Sequence, residues 1–155
     1  MKNILKMLAV AVLCFSQSAY AKEIAVLLPV NGPLTPFEKA ELTRQAADGF
    51  SSKFELMHGD EVERFVKQVF QDESKKKDCD EANCYRRIAA RYHAEKIVAL
   101  HVTQVEKGRY LVTSHLYDVP TGEMTSSQKM ECTQCSFEKL KVLCKEIAQR
   151  LSEAK

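Results

Sequence analysis

A chain of 155 residues, 45% of them hydrophobic and 28% charged, fits one globular domain with a modest core. The formal net charge is +2, and Lys2 and Lys6 account for that excess. In the rest of the chain basic and acidic residues are equal in number and form no basic stripe, which excludes an electrostatic footprint for nucleic acid.

The N-terminal segment has the three parts of a secretory signal peptide. Lys2 and Lys6 form its basic region, residues 7–15 its apolar region, and residues 19–21 (Ala-Tyr-Ala) its cleavage site. The apolar region is much shorter than the roughly 20 residues that a membrane-spanning helix needs. We therefore predict that residues 1–21 are cleaved and that the protein is exported.

Cys14 raises the question of a lipid anchor. Leu13 precedes it, where lipoprotein processing requires a small residue. We therefore expect ordinary cleavage after Ala21 and no stable membrane insertion. The mature chain, residues 22–155, is predicted to be a single periplasmic domain, and its release beyond the outer membrane stays open.

Strands and helices alternate in the first part of this domain. Residues 23–30 form a continuous apolar run that predicts a buried strand. A helix follows, since Thr35 and Glu38 have capping-box spacing and Pro36 occupies the first helical position. Residues 54–57 then predict a short strand.

Two more helices are predicted before the middle of the chain. Asp60 and Glu63 repeat the capping pattern. The apolar residues that follow at helical spacing are Val62, Phe65, Val66, Val69 and Phe70. Residues 71–78 predict a solvated loop, and residues 81–93 a short helix.

Residues 96–135 predict a meander of three strands, which the other elements cover or extend. The strands are expected near residues 97–102, 110–119 and 124–131, and a last helix at residues 136–151. The third strand is mostly polar on both faces, which places it at an edge. The order β-α-β-α-α-β-β-β-α predicts an α/β (α+β) sandwich with a mixed sheet.

Five cysteines remain after the predicted cleavage. They are Cys79, Cys84, Cys132, Cys135 and Cys144. In an exported protein, close pairs predict local disulfides, here Cys79–Cys84 and Cys132–Cys135. Cys144 lies on the apolar stripe of the last helix, which predicts a buried free thiol.

Three other interpretations of the cysteines stay open. The short helix must run antiparallel to the strand it feeds, which predicts that both pairs gather at one end of the sheet. That arrangement would allow cross-bridges or a four-cysteine metal site, although export argues against zinc. Cys132 and Cys135 also have the spacing of a thiol-disulfide redox motif, but a polar edge strand precedes them.

No catalytic signature is recognisable in the chain. His101 and His115 fall on neighbouring predicted strands, and sheet-face residues with ordinary hydrogen bonds explain them better than a metal site does. Asp118 begins a turn in which Pro120 presets φ and Gly122 supplies a left-handed position. We expect no metal, no cofactor and no catalytic residues.

Three segments carry a resemblance to a known family. They are the strand at residues 24–29, the helix-to-strand passage at residues 84–100, and the D-x-x-T-G-E turn at residues 118–123. This pattern is similar to the N-terminal domain of TolB and to the periplasmic domains of CsgG and LpoB. The resemblance implies an anticodon-binding-like α/β fold that serves as a protein-interaction module, and the cysteine pairs are similar to those of other exported relatives of the fold.

These observations predict a non-enzymatic, exported interaction or adaptor domain of the cell envelope that binds an envelope protein. The edge strand is the expected partner surface, since an unpaired edge can accept another strand. The residues expected there are Met124, Ser126, Gln128 and Met130. The alternatives are a thiol-disulfide redox protein or sensor that uses Cys132 and Cys135, and a four-cysteine metal-binding protein.

Overall fold

The computed structural model describes residues 21–76 and 80–154. Its strands are β1 (Glu23–Leu27), β2 (Phe54–Met57), β3 (Lys96–Glu106), β4 (Arg109–Asp118) and β5 (Glu123–Thr133). Its helices are α1 (Pro36–Phe50), α2 (Asp60–Ser74), α3 (Glu81–Tyr92) and α4 (Phe137–Glu153). The predicted order of elements is confirmed, and the predicted signal peptide lies outside the described residues except for Ala21.

The strands form one mixed sheet in the order β2-β1-β3-β4-β5. β1 runs parallel to both β2 and β3, whereas β3, β4 and β5 form an antiparallel meander. The predicted meander is therefore confirmed, and β5 lies at an edge of the sheet as the sequence indicated.

Helices cover the sheet on both faces. The connection from β1 to β2 and the connection from β2 to β3 leave in opposite directions along the sheet. Because such crossovers are right-handed, α1 must cover one face and α2 with α3 the other. α4 joins α1, packing against Val98 and Leu100 of β3, whereas Ile97 and Ala99 face α2 and α3.

β1 is shorter than the apolar run predicted. Its ladder ends at Leu27, and Pro29 has no N–H with which to continue it. The chain stays beside β3 nevertheless, because the Leu28 N–H donates to the Val98 carbonyl at 2.9 Å and the Asn31 N–H to Leu100 at 3.0 Å. The buried apolar run thus continues past the strand.

The predicted N-cap is correct for α1 and wrong for α2. Thr35 and Glu38 form the predicted capping box of α1. At α2 the N-cap is Gly59, with φ 97° and no side-chain hydrogen bond, and Asp60 is the first helical residue. The predicted cap at Asp60 is wrong because the glycine turns the chain one residue earlier.

Candidate functional site at the edge of the sheet

β5 is a long strand with one open side. It spans 11 residues and pairs with β4 along its length. Within the described ranges no strand pairs with its outer edge. Such an edge presents a row of unpaired N–H and C=O groups that can pair with another chain.

Backbone directions in β4 show which groups of β5 point outward. The Val119 N–H donates to the Glu95 carbonyl beside β3 at 2.9 Å. On the other side, the Leu116 carbonyl accepts a hydrogen bond from Thr125 Oγ1 of β5 at 3.2 Å. Since direction alternates along a strand, even-numbered residues of β4 point toward β5 and odd-numbered residues toward β3.

The register then assigns each residue of β5. Ser114 is opposite Gln128, so the Gln128 backbone groups face β4. Those of Ser127, Lys129 and Glu131 alternate with it and face away from the sheet. The outer edge therefore offers the N–H and C=O groups of these odd-numbered residues to a further strand.

The side chains predicted for the partner surface lie in two environments. Ser126, Gln128 and Met130 are half-buried on the side of the sheet that α4 covers, and Met130 packs against that core. Met124 is 52% exposed. These four residues do not form one continuous exposed patch, so strand addition at this edge depends chiefly on its backbone.

Sequence reasoning missed the exposed side of β5. Ser127, Lys129 and Glu131 are exposed and lie on the sheet face opposite α4. Their alternation with the half-buried set follows the period of a strand. The signal was weak because both sets are largely polar.

A disulfide lies at the end of β5. Cys132 and Cys135 have Sγ atoms at 2.08 Å and Cα atoms at 5.4 Å. Between them Gln134 adopts a left-handed φ of 49°, and the Cys135 N–H donates to the Gly108 carbonyl at 2.8 Å. Ser136 follows as the N-cap of α4. The bridge thus joins the edge strand, the β3–β4 turn and the start of α4.

The remaining cysteines are Cys79, Cys84 and Cys144. Cys79 lies outside the described residues, so the Cys79–Cys84 bridge stays a prediction. Cys84 is buried in the α2/α3 layer. Cys144 is a buried free thiol on the side of α4 that faces the sheet, and burial raises its pKa to about 12.

The expected gathering of both cysteine pairs is wrong for Cys84. It packs on the α2/α3 face of the sheet, whereas Cys135 packs on the α1/α4 face. The first turn of α3 lies close to the β4–β5 turn, since the rings of Tyr85 and Tyr117 are 4.8 Å apart. It is therefore far from the end of β5 that carries the Cys132–Cys135 bridge. In the described part of the chain, no group of three or more metal-ligating side chains is close enough to hold a metal ion.

The two histidines lie together on the α2/α3 face. The ring centroids of His101 and His115 are 6.2 Å apart. His115 Nδ1 is buried, and no hydrogen-bond partner lies near it in residues 21–76 and 80–154. Burial together with the nearby His101 lowers the pKa of its imidazole. The predicted hydrogen-bonded environment therefore fails at this nitrogen of His115.

A groove adjoins the histidines where the chain leaves the carboxyl end of β1 beside the middle of β3. Its volume is about 360 Å³, and Phe70, Tyr85 and His101 contribute aromatic side chains to its wall. It is concave but lies away from the outer edge of β5. No residue predicted as a partner contact lines it.

Neither a protein-family model nor a curated protein sequence matches the chain. Solved structures do match. The C-terminal domain of LpoB from Escherichia coli is 19% identical with a TM-score of 0.50, over 77% of this chain and 88% of that one. Lipoprotein GNA1162 from Neisseria meningitidis is 10% identical with a TM-score of 0.51, over 84% and 97%.

TolB from Acinetobacter baumannii also matches, at 12% identity and a TM-score of 0.48, over 84% of this chain and 28% of that one. The predicted resemblance in fold rests on the first two structures, and it is confirmed. Among the described residues, no helix combines the length and the apolar character needed to span a membrane. The chain has the α/β fold of the LpoB C-terminal domain and of lipoprotein GNA1162.

Proposed function

We propose that this chain is a non-enzymatic, exported domain of the cell envelope that captures a segment of another envelope protein as an added strand on β5. The observation that carries this proposal is the outward direction of the Ser127, Lys129 and Glu131 backbones along the part of β5 that follows the irregularity at Thr125. Added strands gain affinity from main-chain hydrogen bonds and specificity from alternate side chains.

Three further observations support this function. The first 21 residues have the pattern of a signal peptide, which implies export to the periplasm. One of the proteins that share the fold is a lipoprotein. The half-buried Met130 at the rim of the edge would gain cover from an incoming strand.

The second candidate function is thiol-disulfide exchange at Cys132 and Cys135. The observation that favours it is the position of the disulfide directly before the N-terminus of α4. A helix N-terminus lowers the pKa of a nearby cysteine and activates its thiolate. This function requires that the pair exchange readily with glutathione near neutral pH.

A matched pair of proline substitutions tests the edge. Ser127→Pro removes an outward N–H and leaves the hydrogen bonds to β4 in place, so we expect unfolding at nearly the wild-type temperature. Partner capture, measured by cross-linking a tagged chain in the envelope, should be lost. Gln128→Pro removes a hydrogen bond to Ser114 and should lower the melting temperature.

The two variants distinguish a binding defect from a folding defect. Ser127→Pro that is stable and still captures its partner would exclude strand addition at β5. Ser127→Pro that melts like Gln128→Pro would contradict the assigned backbone directions.

A further inference from the structure

The outer edge of β5 is complementary to itself. We propose that two copies of this chain pair through β5 in an antiparallel, two-fold arrangement that continues the sheet from one copy into the other. The inference rests on the proposed function, since it uses the same edge, and it names a second copy as an occupant. Self-pairing would cover the edge until a partner strand competes for it.

Backbone direction restricts the registers that are available. In an antiparallel pair, residues whose N–H and C=O groups face the partner strand lie opposite one another. On β5 these are the odd-numbered residues Ser127, Lys129, Glu131 and Thr133. Each register must therefore place odd-numbered residues of one copy opposite odd-numbered residues of the other.

Charge then selects among these registers. With the two-fold axis at Met130, Lys129 of each copy faces Glu131 of the other, which gives two opposite-charge pairs. An axis at Lys129 or at Glu131 would bring like charges together, which destabilises a cross-strand pair. An axis at Gln128 leaves Lys129 opposite Ser127 and gains no ion pair.

Glu131 already has one ion-pair partner within its own chain. Its carboxylate accepts a hydrogen bond from the Arg109 guanidinium, and this bond lowers the pKa of Glu131. The carboxylate therefore stays charged at neutral pH, and Lys129 of a second copy would share it with Arg109 of β4. Lys129 forms no salt bridge among the described residues, although its charge also helps to lower the pKa of Glu131 in the same chain.

The helix layer also fits a second copy. α4 contacts both β4 and β5, so it lies over this pair of strands. With strands about 4.8 Å apart, the two α4 helices would lie about 10 Å apart across the seam. Helices pack at about 8–10 Å, so this spacing is compatible with contact between the two helices.

The contacting flank of α4 carries an apolar residue. Ala148 faces α1, since a Cβ built on Gly49 would lie 2.7 Å from it, and Cys144 faces the sheet core. Leu143, Glu146 and Arg150 therefore lie on the flank away from α1. Leu143 is only partly buried, as is Met130 beneath it in the sheet, and pairing would cover both.

The interface is small by the standards of stable dimers. One strand pair and one helix contact fall below the roughly 1,200 Å² of specific, stable interfaces. We expect a reversible dimer whose population rises with protein concentration. Because the affinity of this dimer is low, the edge stays available to a competing strand.

Sedimentation velocity of the purified exported protein, from micromolar to millimolar concentration, tests the pairing. We expect a monomer–dimer equilibrium that Ser127→Pro abolishes. Lys129→Glu and Glu131→Lys should each weaken self-association about tenfold, because each replaces both ion pairs with like charges. Lys53→Glu, at the opposite side of the sheet, is the matched control and should change nothing.

Mixing the two charge variants gives the sharper test. One copy then carries glutamate at positions 129 and 131 and the other carries lysine at both, so every facing pair has opposite charges. We expect a heterodimer at least as strong as the wild-type dimer, a result that a local loss of stability cannot produce.

A wild-type chain that remains monomeric at every concentration would overturn the self-pairing, and so would a mixture that fails to associate. Neither result would contradict the proposed capture of an envelope protein, which is measured separately through the Ser127→Pro variant in the envelope. Loss of that capture function would in turn leave a measured dimer standing.

Discussion

At the scale of single residues, Cys144 shows how this domain keeps a thiol inert. The side chain is fully buried between α4 and the sheet, among Leu140, Ile147 and Leu151. Burial in these apolar surroundings disfavours the thiolate and raises the pKa of Cys144 to about 12. Because the thiolate is the reactive form, Cys144 acts as a small apolar side chain.

We predict that Cys144 does not react with iodoacetamide in the folded protein at pH 8 and reacts after unfolding in urea. Intact mass with and without denaturant measures this, with Cys144→Ala as the control. Unfolded wild-type protein should carry one more label than the variant, and the folded proteins should not differ. An extra label on the folded wild-type protein would contradict the burial of this thiol.

Some features of single residues could be predicted from the sequence and others could not. The capping box of Thr35 and Glu38 was predictable, because its two hydrogen bonds depend on residues three apart. The start of α2 was not, because Asp60 has the same pattern while Gly59 can adopt a φ that other residues avoid. The burial of His115 Nδ1 without a hydrogen-bond partner among the described residues is a tertiary feature that no local pattern reveals.

At the scale of elements, β5 shows both the strength and the limit of pattern reasoning. Its polar composition predicted an edge strand, and the edge is where it lies. The same composition concealed which side chains α4 covers, since Ser126 and Gln128 are as polar as Ser127 and Lys129. The direction of α3 could not be predicted from the sequence either, because a helix can cross a sheet at several angles and tertiary packing decides between them.

The Cys132–Cys135 bridge joins β5 to α4, and we predict that its role is structural. Its reduction potential should lie below about −300 mV, out of reach of the glutathione pool. Equilibration with defined glutathione mixtures, followed by alkylation and mass measurement, gives this potential.

A stability measurement complements the potential. Replacing both cysteines with serine should lower the free energy of unfolding by about 2 kcal/mol, as expected for closing such a short loop. A potential near −200 mV, together with unchanged stability in the double variant, would favour the redox function instead.

At the scale of the whole molecule, the fold was predictable because element order and chain handedness restrict the topology. Two crossovers in opposite directions place helices on both faces, and short turns force the meander. The candidate site was predictable only as an element. Choosing Ser127, Lys129 and Glu131 as its outward residues required the register, which pairs Gln128 with Ser114.

We propose the outer edge of β5 as the docking surface of this domain. Site-specific photo-cross-linking in the intact envelope tests this proposal, with a benzophenone side chain placed at Ser127 or at Lys129. Glu55 is the matched control, because it is exposed on β2 at the opposite edge of the sheet.

We expect both β5 positions to give the same cross-linked product with another envelope protein, distinguishable by mass from a product of two copies of this chain. The control at Glu55 should give no such product. Absence of the product from both β5 positions, or an equal yield from Glu55, would contradict the claim that this edge captures a partner.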